Sequence, residues 1–81
     1  MFTVYSKPGC THCDGAKQLL TIKGLPFEVL ELNVGQVQQP DRKYVEVSEL
    51  KNRVPNARTV PQIFHGDKLI GGFTELKIYL E

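Results

Sequence analysis

The segment Lys7-Pro8-Gly9-Cys10-Thr11-His12-Cys13 constrains this chain more than any other. It stands between strand formers (Phe2, Val4, Tyr5) and a run with apolar residues at Cys13, Ala16, Leu19 and Leu20, which is helical spacing. Pro8-Gly9 breaks the strand, and the cysteine pair opens the helix. Two residues between cysteines allow a disulfide across the first helical turn. Cys10 then sits where unpaired backbone N–H groups and the helix dipole favour an anion, and the thiolate is the reactive form of cysteine. Lys7 adds a positive charge shortly before it. Cys13 lies deeper in the helix, better placed to resolve a mixed disulfide than to start one.

Other uses of the pair fit less well. Zinc takes about four ligands. Only His12 and His65 are available as nitrogen donors. His12 lies between the cysteines, too close to complete a tetrahedron, and His65 falls in a predicted strand. The site therefore has no expected metal. Pro-Gly and Thr-His are not the neighbours of an inert buried pair, and two cysteines three positions apart are not a disulfide framework.

The remaining sequence allows one domain over residues 1–81. Ten basic against nine acidic residues leave a formal charge of +1, which argues against nucleic acid as the main partner. No apolar run is long enough to span a membrane. The start, Phe2-Thr3-Val4-Tyr5, has neither a basic n-region nor a long apolar h-region. The expectation is a cytoplasmic monomer.

Gly24 and Pro26 end the first helix. Phe27 to Val34 reads as a second strand, with an alternation that slips phase between Val29 and Leu30. That suits a bulge or a strand buried on both faces. Gly35 to Pro40 is a polar loop. Tyr44, Val47, Leu50 and Val54 form a stripe that predicts an amphipathic helix over Asp41–Arg53. Arg42, Lys43, Lys51, Arg53 and Arg58 read as a solvated face. Gln62–His65 and Lys68–Ile70 flank Gly66-Asp67, the signal of a type II′ hairpin. Phe73, Leu76 and Leu80 predict a closing helix over Thr74–Leu80, with Thr74 as N-cap. The order is βαβαββα: an α/β fold with a mixed four-stranded sheet flanked by helices.

Three separated segments now carry a resemblance. Tyr5-Ser6-Lys7-Pro8-Gly9-Cys10-x-x-Cys13 resembles the active-site segment of dithiol glutaredoxins. Thr59-Val60-Pro61-Gln62-Ile63-Phe64 resembles their cis-proline segment, and Ile70-Gly71-Gly72-Phe73-Thr74-Glu75-Leu76 their glutathione-binding turn. With the short length, the chain looks most like the phage-type members, and the fold implied is thioredoxin-like.

The resemblance implies a glutathione-dependent thiol–disulfide oxidoreductase with Cys10 as nucleophile and Cys13 as resolving thiol. Glutathione is implied as co-substrate, with no bound cofactor. Lys7 would meet the glycyl carboxylate of glutathione and help hold the thiolate. Thr59 and Val60 would line the site, Val60 pairing its backbone with the glutathione cysteine. Pro61 in cis would turn that backbone toward Cys10. Gly72, Phe73, Thr74 and Glu75 would hold the γ-glutamyl end. Protein disulfides are the implied partners, ribonucleotide reductase among them, and the phage likeness implies host cytoplasm.

Thr11-His12 departs from the family's usual Pro-Tyr. His12 is either a surface spectator or, when protonated, a stabiliser of the Cys10 thiolate. Three other readings remain. One is a redoxin reduced by thioredoxin reductase, although such proteins carry a different turn where this chain has Gly-Gly-Phe-Thr-Glu. Another is a module holding an iron–sulfur cluster with glutathione as co-ligand. The third is a structural subunit with incidental thiols.

Overall fold

The computed structural model describes residues 1–81. Eight elements follow in chain order: β1 (Phe2–Ser6), α1 (Thr11–Ile22), β2 (Phe27–Leu32), β3 (Lys43–Val45), α2 (Val47–Arg53), β4 (Gln62–His65), β5 (Lys68–Gly71) and α3 (Phe73–Tyr79). They build a mixed sheet in the order β3-β2-β1-β4-β5. β1 pairs parallel with β2, and β2 with β3. β4 runs antiparallel to both β1 and β5.

The sheet thus has five strands rather than four. The expected helix over Asp41–Arg53 divides. Lys43–Val45 forms an edge strand, and only Val47–Arg53 is helical. The physical reason lies in Tyr44, Val45 and Val47. β-branched and aromatic side chains favour extended backbone, and an open parallel edge beside Leu30–Leu32 offers Lys43–Val45 hydrogen-bond partners. Leu50 remains the buried residue of α2, with Val54 packed beside it.

Alternation along β1 sorts the core. Phe2 and Val4 face Ala16 and Leu20 of α1, Ile63 of β4 and Leu76 of α3. Tyr5 faces the opposite side, where Leu32, Phe64 and Leu50 of α2 make a second cluster. Helices therefore cover both faces of the sheet. That coverage explains the phase slip in β2. Its pairing with β1 runs without a bulge from Phe27 to Glu31. Phe27 packs into one cluster and Leu30 into the other. The sheet's irregularity lies instead between Ile63 and Phe64, in the pairing of β4 with β5.

Glu31 is buried on the α1 side, and both Lys17 Nζ (3.6 Å) and Arg42 Nη1 (3.4 Å) reach its Oε1. Two expected solvated charges also find partners: Lys43 pairs with Glu28 at 3.4 Å, and the Arg53 guanidinium lies 3.7 Å from the Phe64 ring centroid. At the hairpin, Gly66 takes φ +62° and Asp67 does not take a positive φ, as a type II′ turn requires. No helix is long and apolar enough to cross a membrane.

Candidate thiol site

β1 delivers the chain to the site and α1 carries it away. Cys10 is the N-cap of α1, and its Sγ accepts the backbone N–H of Cys13 at 3.2 Å. The sulfur therefore occupies the place of a capping oxygen, against a donor that a helix start leaves free. The Cys10 thiol also donates to the Val60 carbonyl at 3.6 Å. Cys10 is half-buried, whereas Cys13 has no exposed surface, and both are free thiols.

Burial pushes the Cys13 thiol up from 9.0 to about 11, and the Cys10 side chain adds to the rise. The Ser6 hydroxyl and the Lys7 backbone oppose it. The two sulfurs thus differ in access and in environment, although they stand three residues apart.

Val60 joins this pair to the rest of the site. The Val60–Pro61 peptide bond is cis, as the resemblance implies. Pro61 is buried, and Val60 is half-buried between two grooves. The smaller groove, about 270 Å³, is lined by His12, Thr59, Val60, Pro61, Gly72, Phe73, Thr74 and Glu75. It gathers most of the predicted binding residues, although β4 and β5 separate Pro61 from Gly72 in sequence. Lys7 stands apart. With Thr59 and Val60 it lines a second groove of about 420 Å³, whose walls include Leu32, Leu50, Lys51 and Arg58. Lys51 and Arg58, expected on a solvated face, stay exposed but also line this groove.

The start of α3 differs from expectation. The helix begins at Phe73, with Gly72 rather than Thr74 as N-cap. Glu75 Oε1 accepts the Gly72 backbone N–H at 2.8 Å, so the carboxylate closes the helix start, as an acidic residue there does in a capping box. A glutamate three residues after the cap outweighs a threonine hydroxyl two residues past it. One consequence is tight packing at Gly71. It holds φ +122°, and an added Cβ would meet the Glu75 Cγ at 2.8 Å.

Phe73 forms the wall between α3 and α1. Its ring centroid lies 6.3 Å from that of the exposed His12. The ring fits only because residue 15 is glycine, where a Cβ would stand 2.8 Å from Phe73 Cε2. No group of three or more His, Cys, Asp or Glu side chains is arranged to hold a metal ion.

Two features were missed by the sequence reading. Gly15 falls unremarked within the helical run, and Ser6 sits where β1 is expected to end. The Phe2-Val4-Ser6 alternation carried the signal for Ser6.

The glutaredoxin family model matches residues 2–70. The glutaredoxin of Enterobacteria phage T4 is 36% identical over 87 aligned positions, covering the whole of both chains. The hybrid peroxiredoxin hyPrx5 of Haemophilus influenzae is 43% identical over 77 residues, 95% of this chain but only 28% of that protein. Among solved structures, glutaredoxin 1 of Francisella tularensis superposes with a TM-score of 0.72 at 28% identity, covering 98% of this chain and 90% of its own. With a matching fold and the Cys10–Cys13 pair at the N-terminus of α1, the chain belongs to the glutaredoxin family of thiol–disulfide oxidoreductases.

Proposed function

We propose that this glutaredoxin takes its electrons from glutathione and reduces protein disulfides and glutathione mixed disulfides. The observation that carries the reading is the position of Cys10 Sγ against the Val60 carbonyl, at the ridge shared by the two grooves. A tripeptide laid across that ridge meets the Thr74 and Glu75 end in one groove and the Lys7 end in the other. The free Oε2 of Glu75 suits the amine of a γ-glutamyl group, while the α3 N-terminus suits its carboxylate and Lys7 the carboxylate at the glycyl end of the tripeptide. His12 then contributes a wall of the first groove and a cation when protonated.

In this mechanism Cys10 thiolate attacks a disulfide sulfur and one partner leaves as a thiolate. Cys13 attacks Cys10, forming the Cys10–Cys13 disulfide and releasing the second partner. One glutathione thiolate then attacks Cys10 and frees Cys13 as a thiol, and a second attacks the Cys10–glutathione intermediate, restoring Cys10 and leaving as oxidised glutathione. The full-length likeness to the phage T4 protein supports host cytoplasm as the setting, and ribonucleotide reductase is our proposal for one protein substrate.

The test compares electron supplies in a coupled assay. Glutathione with glutathione reductase is expected to sustain turnover, and thioredoxin reductase alone is not. Turnover with thioredoxin reductase alone would replace this reading with the redoxin one. Cys10→Ser is expected to abolish both activities. Cys13→Ser is expected to keep reduction of glutathione mixed disulfides and to lose dithiol-dependent protein reduction. Complete loss of both in Cys13→Ser would overturn the assigned roles.

A further inference from the structure

Ser6 Oγ is the one buried side-chain oxygen or nitrogen in the protein that makes no hydrogen bond. It is fully buried at the end of β1. Alternation puts Ser6 on the face of Phe2 and Val4, the face that α1 covers with Cys13, Ala16 and Leu20. The hydroxyl thus faces the Cys13 sulfur, near enough to influence it without a well-formed hydrogen bond to the thiol. An unpaired buried hydroxyl is unfavourable, and an alanine of nearly the same shape removes the problem. A serine held here unpaired points to a state other than the resting dithiol.

We propose that Ser6 is a positioning residue for the second step: its hydroxyl donates to Cys13 Sγ as that sulfur becomes the thiolate that attacks Cys10. The proposal rests on Cys13 being the resolving thiol. In the step itself, Cys13 gives its proton to solvent and its sulfur attacks the Cys10 sulfur of the mixed disulfide. The Cys10–Cys13 bond forms, the bond from Cys10 to glutathione breaks, and the departing glutathione thiolate takes up a proton. Until then burial opposes charge on Cys13. Once Cys10 is tied up in the mixed disulfide, its thiolate can no longer oppose that charge, and burial remains.

The groups that reach Cys13 are few. Cys10 is the only titratable one, and the Ser6 hydroxyl and the Lys7 backbone complete the set. His12 and Asp14, its neighbours on α1, are exposed. Before Lys7, β1 carries no charged side chain; Glu31, beside Ser6 on β2, is buried but paired with Lys17 and Arg42, and Glu75 of α3 is bound to its own cap. Among these, only Ser6 is a side-chain donor with nothing else to do. A hydrogen bond to a charged acceptor is also roughly twice as strong as one to a neutral acceptor, so the contact favours the thiolate over the thiol.

The experiment mixes reduced protein with oxidised glutathione, quenches in acid at intervals, and counts the Cys10–glutathione adduct by mass spectrometry across pH 6–10. The wild type, Ser6→Ala, Ser6→Thr and Cys13→Ser are compared, with thermal melts of each. Ser6→Ala is expected to form the adduct at the wild-type rate and resolve it more slowly. The slowing is about threefold for each pH unit by which the profile moves upward, because a better-stabilised thiolate is also a weaker nucleophile. Its melting temperature is expected to stay level or rise. Ser6→Thr keeps the hydroxyl and is expected to resolve at nearly the wild-type pH profile. An unchanged resolution rate and profile in Ser6→Ala would overturn the proposal, as would equal slowing of both steps. If Cys13→Ser fails to trap the adduct, the resolving role of Cys13 falls first, and the role of Ser6 falls with it.

Discussion

Cys10 and Cys13 share a motif but not an environment. Cys10 replaces a capping oxygen and touches the Val60 carbonyl, whereas Cys13 is sealed between β1 and α1. The burial of Cys13 has a consequence for stability. Its thiol holds its proton up to about 11 in the folded protein, against 9.0 when unperturbed. Between those values the unfolded chain loses a proton that the folded chain keeps. The stabilisation is complete below about pH 9 and is lost as pH rises through 11. Urea unfolding of the reduced protein is expected to show a midpoint falling over that window, and Cys13→Ala is expected to flatten the fall. A midpoint that stays level in the parent protein would contradict the assignment. Helical spacing was enough to show that Cys13 is the inner thiol. It was not enough to show that Ser6 stands over it, because a serine before Lys-Pro-Gly also reads as an ordinary strand end.

Among elements, α1 and α3 depend on each other through one absent side chain. Gly15 lets the Phe73 ring reach the α1 backbone, and that ring also lines the groove with His12. Gly15→Ala adds about 1 kcal/mol of helix propensity. It also drives a Cβ against the far end of the Phe73 ring, which can swing toward the groove. Stability is expected to change by less than about 1 kcal/mol, while KM for glutathione rises several-fold and kcat changes little. A KM equal to the parent's would show that the ring yields in another direction.

The same scale shows where sequence pattern stops being decisive. β1, α1 and the β4–β5 hairpin form where their periodicity or turn chemistry predicts, whereas β2 stops at Leu32 and α3 begins at Phe73 rather than Thr74. Residues 41–53 do not form the one helix expected, because Tyr44, Val47 and Leu50 fit a helical stripe and Tyr44-Val45 also fits an edge strand. The free edge of β2 decided between them, and that edge exists only after the sheet is assembled. The groove with Pro61, Gly72 and Glu75 became legible through family likeness, since no local pattern brings those three together.

For the whole molecule, two apolar clusters on opposite faces of one sheet supply the stability. A chain of 81 residues has about 4–12 kcal/mol in total. Leu20 has no exposed surface and sits at the centre of the larger cluster. Leu20→Ala is expected to cost about 2–5 kcal/mol, measured by denaturant unfolding, and so to remove a large share of the total. Leu69, which is 44% exposed at the sheet edge, is expected to tolerate alanine with a change near about 0.5 kcal/mol.

The sealed position of Cys13 also gives the protein an internal clock. An alkylating reagent in neutral solution is expected to find the half-buried Cys10 first, and to reach Cys13 only when α1 lifts from β1. The second adduct therefore arrives at a rate set by that opening, so its delay relative to the first measures how often the centre of the fold comes apart.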